Sequence, residues 1–229
     1  MGLIRKLAPL MNWLRNFLTR LLKKVEADKH PRTFSNAALR RVAPLVRGDI
    51  VNVSGWKDSD KQGALYRDYF SKARSYHVSN YSGSRGASEV DSITDFFLDL
   101  QKPLPAEFSQ KYDVVFNHTT LEHLPDPAKG FDVLCGLSRD LVILVVPFSQ
   151  EVHFIAGSFG DYGRFSPGGV AYQLHTRGFK TLLCETNRSD VHAQYVFCVA
   201  SKKPLDHAEL TNLDSGAWKA LIAECISHG

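Results

Sequence analysis

Three groups of side chains in this 229-residue chain could do chemistry. His118 ends the apolar run Val114-Val115-Phe116 within YDVVFNHTTLEHLPDP (residues 112–127), with Asn117 before it and Glu122-His123 soon after. His153 stands further along, and GDYGRFSP (residues 160–167) sets Asp161, Tyr162 and Arg164 on one loop. Histidine titrates near neutrality, so His118, His123 and His153 are each able to take a proton from a hydroxyl. Asp161, Tyr162 and Arg164 offer an acceptor, an aromatic platform and a two-pronged donor, a set suited to a polyhydroxylated or anionic substrate. Plainer roles stay open for both sets. Asp161 and Arg164 can pair with each other to order the loop, and Glu122 and His123 can cap the following helix or fix the turn. Two protein ligands make a poor metal site, so no metal is expected.

The elements that must position these groups follow from the pattern. Val114–Phe116 reads as a strand buried on both faces, as in a parallel sheet. Asn117–Thr120 then lie just beyond its carboxyl end, where open α/β sheets bind ligands. Further strands are expected at 49–53, 75–78, 93–98, 141–146, 180–184 and 194–200. Helices are expected at 35–46, up to 68–73, and at 128–137, 169–176 and 217–226. Strands alternating with helices predict a doubly wound, mostly parallel sheet. The run 147–168 is long for a connector and reads as a lid or substrate loop.

The fourth-strand segment with its Leu121-Glu122-His123-Leu124 loop, the late hairpin and the Asp161-Tyr162-x-Arg164 loop resemble class I S-adenosylmethionine-dependent methyltransferases. Within these the likeness is to the broad type 11-like, sugar and small-molecule O-methyltransferase group. It covers about residues 48–201. It implies a seven-stranded Rossmann-like sheet whose last strand is antiparallel, and S-adenosylmethionine as cofactor. It also implies Gly55 at the turn after the first strand, Asn80 at the ribose position, Asp99 near the adenine amino group, and Asn117 and His118 beside the cofactor. Substrate contacts fall to Asp161, Tyr162 and Arg164, and proton removal to His153 first and His118 second. The implied activity is O-methylation of a sugar, glycan or lipid-linked acceptor. The chain departs from the family at two places. The turn Asn52-Val53-Ser54-Gly55-Trp56 carries one glycine where two or three are common, and Asn80 replaces an acidic residue. A catalytically degenerate member serving as a binding or membrane-associated partner is therefore the alternative. Relatives with a metal cluster carry an additional Glu where this chain has Thr119.

Composition is that of an ordinary globular domain, 44% hydrophobic and 23% charged. The net charge of +4 is uneven: residues 1–30 hold seven basic against two acidic residues, giving +5 and leaving −1 for the rest. With no basic surplus in the body, nucleic acid is not expected as a partner. No G-x-G-x-x-G follows the first strand, which argues against a nicotinamide enzyme. Cys135, Cys184, Cys198 and Cys225 match no C-x-x-C spacing, and a reducing, cytoplasmic setting is expected. Leu3, Leu7, Leu10, Leu14, Leu18, Leu21 and Val25 recur at helical spacing beside Arg15, Arg20, Lys23 and Lys24, with Pro9 marking a kink or restart. Such a helix can lie on an anionic membrane surface, dock on the body or a second subunit, or serve as a transit peptide. The chain thus divides into a basic amphipathic helix (1–30), a methyltransferase-like domain (31–204) and a helical tail (205–229).

Overall fold

The computed structural model describes residues 2–83 and 93–228, with side chains from residue 8 onward. Seven strands form one sheet: β1 (Gly48–Val53), β2 (Ala73–Asn80), β3 (Phe96–Phe97), β4 (Tyr112–His118), β5 (Ser138–Ser149), β6 (Lys180–Thr186) and β7 (Gln194–Ser201). Their order is β3-β2-β1-β4-β5-β7-β6. β1 to β5 are parallel, and β7 runs antiparallel to both β5 and β6. The fold is the α/β, doubly wound, Rossmann-like sheet with an antiparallel last strand that the sequence implies.

Strand alternation sorts the core into two layers. Val51, Val53, Val115, Val142 and Leu144 face α3 (Pro127–Leu137) and α4 (Pro167–His175), where they meet Phe131, Leu134, Val170 and Leu174. Ile50, Val114, Phe116, Ile143 and Val199 face α2 (Pro31–Val42), packing with Ala38, Leu39 and Val42. The tail adds α5 (Ala208–Asn212) and α6 (Lys219–Ser227). Two Ser/Asp-Pro pairs start helices: Asp126 accepts from Ala128 N at 3.1 Å, Ser166 accepts from Gly169 N at 3.0 Å, and Pro follows each.

The elements depart from expectation at three places. The helix expected up to residue 73 is a short 3₁₀ turn, Tyr66–Tyr69, after which β2 begins at Ala73. Its Tyr66, Tyr69 and Phe70 have helical spacing, but all three are spent covering Phe116 and the α2 layer. β3 is only two residues long, although Asp95 N and Leu98 N extend its bonding to Val78 O and Asn80 O at 2.9 and 2.8 Å. α1 (Gly2–Val25) continues through Pro9 without a break, since one proline forfeits a single backbone bond.

α1 does not pack on the body with its apolar stripe. From Leu10 to Val25 every large apolar side chain is 47% or more exposed, while Leu3, Ile4 and Leu7 lie outside the described side chains. Its carboxyl end is tied down instead. Ser189 Oγ donates to Glu26 Oε2 at 2.8 Å, Asn187 Nδ2 donates to Lys29 O at 2.6 Å, and His192 Nε2 lies 3.2 Å from Lys23 O. No helix among the described residues is long and apolar enough to cross a membrane.

Candidate active site

The register fixes what gathers at the carboxyl end of the sheet. Asn52 of β1 pairs with Val78 of β2 and Phe116 of β4. Two residues further on, Asn80 and His118 therefore share the face of Phe116, toward α2. Val53 pairs with Ser79 and Asn117, which point to the opposite face. Asp99 lies two residues past Phe97, the partner of Asn80. Gly55, Asn80, Asp99 and His118 thus stand at one end of the sheet.

Their polar groups are not equally free. Asn80 Oδ1 accepts from Trp56 N at 2.7 Å, and its Nδ2 donates to Trp56 O at 3.2 Å and Thr94 Oγ1 at 2.8 Å. This amide clamps the turn after β1, where Ser54, Trp56 and Asp58 all hold left-handed φ values of 56°, 52° and 56°. Gly55 is required for packing: a Cβ there would come within 2.6 Å of Asn52 Nδ2 and 3.0 Å of Val78 Cγ1. Asp99 Oδ1 accepts from Gln101 N at 2.9 Å, with Lys102 Nζ 3.7 Å from Oδ2, so its carboxylate orders the turn after β3. Asn117 Nδ2 donates to Val53 O at 2.8 Å. Asn117 Oδ1 and Ser79 Oγ, which flank Val53, are buried with no hydrogen-bond partner among the described residues.

His118 sits in a basic, aromatic surround. Arg32 Nη1 lies 3.0 Å from its ring nitrogens and donates to Tyr66 Oη at 2.9 Å. Ser35 Oγ is 3.0 Å from Nε2 and Thr119 Oγ1 3.0 Å from Nδ1. Tyr66 stacks on the ring at 5.8 Å and Tyr195 meets it edge-on at 6.1 Å. Burial first, then the charges of Arg32 and Lys61, hold His118 well below the ordinary histidine range, so it is neutral. Thr119 next to it is β-branched yet has φ 50°, local strain of the kind found at functional sites. Arg32 opens α2, whose first turn has no acidic residue. His30, Lys61, Gln150 and Tyr195 complete a cleft of about 360 Å³ around it.

A second cluster lies where the 3₁₀ turn Leu121–His123 meets the loop after β5. Tyr162 N donates to Glu122 O at 2.7 Å, and His123 Nδ1 lies 2.6 Å from Gly160 O. A carbonyl can only accept, so Nδ1 carries the proton and Nε2 keeps its lone pair. Glu122 is 4% exposed and its Oε2 has no hydrogen-bond partner among the described residues. Burial pushes its carboxyl up to about 8 and pushes His123 below the usual histidine range. The 3.8 Å approach of His123 Nε2 to Glu122 Oε1 is therefore a contact of two neutral groups at neutral pH rather than an ion pair. His153 is exposed, its ring 5.6 Å from that of His123 and 5.5 Å from that of Phe159.

Asp161 and Arg164 are bound to each other through both prongs of the guanidinium, which also donates to Gln150 O at 3.1 Å and Glu151 O at 2.9 Å. Arg164's hydrogen bonds lower the Asp161 carboxyl to about 2. The pair orders the loop, the plainer of its two sequence readings, and Tyr162 is 60% exposed beside it. Arg32, Lys61, Tyr195 and the buried acid of Glu122 were not singled out by the sequence. One signal pointed to Arg32: after the helix start His30-Pro31, a cation in the first turn opposes the helix dipole.

No family model and no curated protein sequence matches the chain. Solved structures do. The 1,6-didemethyltoxoflavin-N1-methyltransferase of Burkholderia thailandensis, solved with 1,6-didemethyltoxoflavin and S-adenosylhomocysteine, is 15% identical. The match covers 88% of this chain and 91% of that one, with a TM-score of 0.53. An S-adenosylmethionine-dependent methyltransferase of Mesorhizobium loti is 14% identical over 72% of this chain and 96% of that one, with a TM-score of 0.50. At such identities the likeness establishes the fold, which is that of class I methyltransferases.

Proposed function

We propose that this chain is an S-adenosylmethionine-dependent methyltransferase that methylates a hydroxyl of a sugar, glycan or lipid-linked small-molecule acceptor. The observation that carries the reading is the sheet order with antiparallel β7, whose carboxyl end gathers the titratable and polar groups described above. The Burkholderia enzyme of the same fold was solved with S-adenosylhomocysteine. Two features fit such a cofactor. Ser79 Oγ and Asn117 Oδ1 lie on either side of Val53 at this end of the sheet with no hydrogen-bond partner among the described residues, polar atoms that a small shift would offer to a ligand. Asp99 stands beyond them with part of its carboxylate accessible. Gly55 and Asn80 would shape the wall through Trp56, with Asp99, Asn117 and His118 beside the ligand.

The cofactor would supply an electrophilic methyl group. The chain's task is to align the acceptor hydroxyl and remove its proton. His123 is the best-prepared base, because Gly160 O fixes its tautomer and burial keeps Nε2 unprotonated at neutral pH. His153, whose ring lies 5.6 Å from that of His123, would receive or relay that proton in this reading. His118, neutral and enclosed by Arg32 and Tyr66, is placed to orient rather than to titrate. Asp161 and Arg164 hold the loop that carries Tyr162 to the acceptor. A second reading, a scaffold that has lost catalysis, is favoured by Asn80, whose amide is spent on the chain itself. Incubating the protein with methyl-labelled S-adenosylmethionine and a panel of sugars, glycans and phosphorylated sugars separates the two. The first reading expects label in an acceptor and a loss of about 10²–10⁴ in rate for His123→Ala. Label in no acceptor supports the second.

We further propose that α1 holds the protein on the cytoplasmic face of an anionic membrane. Leu10, Leu14, Phe17, Leu18 and Leu21 are exposed together with Trp13, and basic residues flank them. Each near-surface cation adds about 1 kcal/mol of attraction to acidic lipid, screened over about 10 Å at 0.1 M salt. The protein should co-sediment with phosphatidylserine-containing vesicles, less so as salt rises, and Trp13→Ser with Phe17→Ser should abolish this. Equal sedimentation of the double variant would contradict the claim.

A further inference from the structure

Seven arginines of the described body pair with a carboxylate: Arg40 with Asp60, Arg41 with Glu185, Arg67 with Asp58, Arg74 and Arg139 with Asp49, Arg164 with Asp161 and Arg177 with Asp132. Arg32 does not. Its hydrogen bonds go to the neutral Tyr66 hydroxyl and the neutral His118 ring, although it lines a cleft and opens a helix. Lys61 lines the same cleft; its backbone N donates to Ser59 Oγ at 3.0 Å, and its ammonium has neither a hydrogen bond nor an ion pair among the described residues. Two cations therefore face one space with no anion between them.

No acid among the described residues pairs with either cation. Asp60 is the nearest in sequence to Lys61, but both its oxygens are committed. Oδ1 accepts from Gln62 N at 2.7 Å and Ala64 N at 2.9 Å, and Oδ2 accepts from Tyr69 Oη at 2.6 Å and Arg40 at 3.1 Å. Glu122, the other acid that feels the Arg32 charge, is protonated below about pH 8. The cost of the arrangement shows in its neighbours. Burial and Arg32 push the Lys61 ammonium down, and Arg32 and Lys61 together add to the lowering of His118. The positive end of the α2 dipole adds to the field. Gln150 also lines the cleft, and its Oε1 is buried with no hydrogen-bond partner among the described residues.

We propose that this cleft binds a phosphoryl group carried by the acceptor. Two cations lining one cleft together with Tyr195 and Gln150 match the several oxygens of a phosphate better than the two of a carboxylate. The volume of about 360 Å³ lies at the lower end for small-molecule sites and leaves room beyond the phosphate for part of its carrier. Arg32 links the cleft to the ring of His118, so a phosphate held there would bring an attached hydroxyl toward the loop of His123. That placement rests on the methyl-transfer reading, whereas the binding itself does not. The phosphate could belong to a soluble sugar phosphate or to a lipid head group, since His30, five residues past the end of α1, lines the cleft.

Calorimetric titration of the full chain with inorganic pyrophosphate at low salt tests the proposal, with S-adenosylhomocysteine titrated separately. Saturable pyrophosphate binding is expected, about tenfold weaker in Lys61→Asn and lost in Lys61→Glu. Lys61 has φ 59°, a conformation asparagine accepts, so Lys61→Asn keeps the backbone, and an unchanged melting temperature verifies it. No saturable binding by the wild type, or equal affinity in both folded variants, would overturn the proposal. Pyrophosphate binding without S-adenosylhomocysteine binding would uphold the cleft and remove the methyl-transfer reading. The reverse pattern would remove the cleft alone. Where pyrophosphate binding is found, sedimentation with phosphatidic acid vesicles assigns the source. Weaker sedimentation of Lys61→Glu with α1 intact marks a lipid phosphate, and equal sedimentation marks a soluble one.

Discussion

Glu122→Gln should gain stability over the wild type as pH rises from 5 to 8.5, with the difference between the two growing by on the order of 4 kcal/mol. In the unfolded chain this carboxyl titrates near 4.5, and burial raises it to about 8 in the fold. Between those values the native state holds a proton that the unfolded state has released, so wild-type stability falls with rising pH across this window and levels off above it. Glutamine has no such proton to lose. Its amide inherits the unpartnered environment of Oε2, which lowers the variant's stability at every pH and leaves the slope unaffected. Urea unfolding at the two pH values measures the difference, and parallel wild-type and variant curves would show that Glu122 is not a buried acid. A carboxyl that costs the fold stability at neutral pH, beside a histidine with a fixed tautomer, belongs to a site shaped for a ligand rather than for rigidity.

Asp58→Ala should destabilise the fold by about 3 kcal/mol and lower its melting temperature by about 10 °C. Asp58 is 1% exposed, and its carboxylate accepts from Asn52 Nδ2 at 2.8 Å, Tyr76 Oη at 2.7 Å, and Arg67 N and Nε at 3.1 Å each. Its removal strands the buried donors of Asn52 and Tyr76, whereas Arg67 is exposed enough to turn to water. Its backbone also closes the turn, with Asp58 N donating to Gly55 O and Tyr66 N donating to Asp58 O, both at 2.8 Å. Because residues 54–65 carry the turn beside the proposed cofactor and also Lys61, the variant should bind both S-adenosylhomocysteine and pyrophosphate more weakly. Thermal unfolding checks the first part, and a shift under 2–3 °C, about 1 kcal/mol for a chain of this size, would contradict it.

The strands were legible in the sequence where both faces are buried: Leu141–Val146 reads as an unbroken apolar run, and Ile50, Val51 and Val53 as a short one interrupted by Asn52. The helix expected up to residues 68–73 is not formed: side chains at helical spacing, such as Tyr66, Tyr69 and Phe70, also occur where a loop lays rings onto a sheet, and local periodicity cannot distinguish the two. The direction of His118 could have been read by counting from Val114 and Phe116 in steps of two, toward whichever layer covers them. What covers them could not: Arg32 comes from 86 residues away. For the same reason the raised acid of Glu122 was hidden, since burial by a loop from residues 160–165 is a property of the fold. Asp161 and Arg164, three residues apart, allowed a local pairing, and that is the geometry found.

Calorimetric titration of the intact chain with S-adenosylhomocysteine tests the central claim most directly. Methyl transfer at the carboxyl end of this sheet predicts one saturable site with a dissociation constant on the order of 1–100 µM. Asp99→Ala should weaken it by about 1–2 kcal/mol, the loss of one hydrogen bond at the adenine end. The absence of heat at millimolar ligand would contradict the account and leave a methyltransferase fold put to another use.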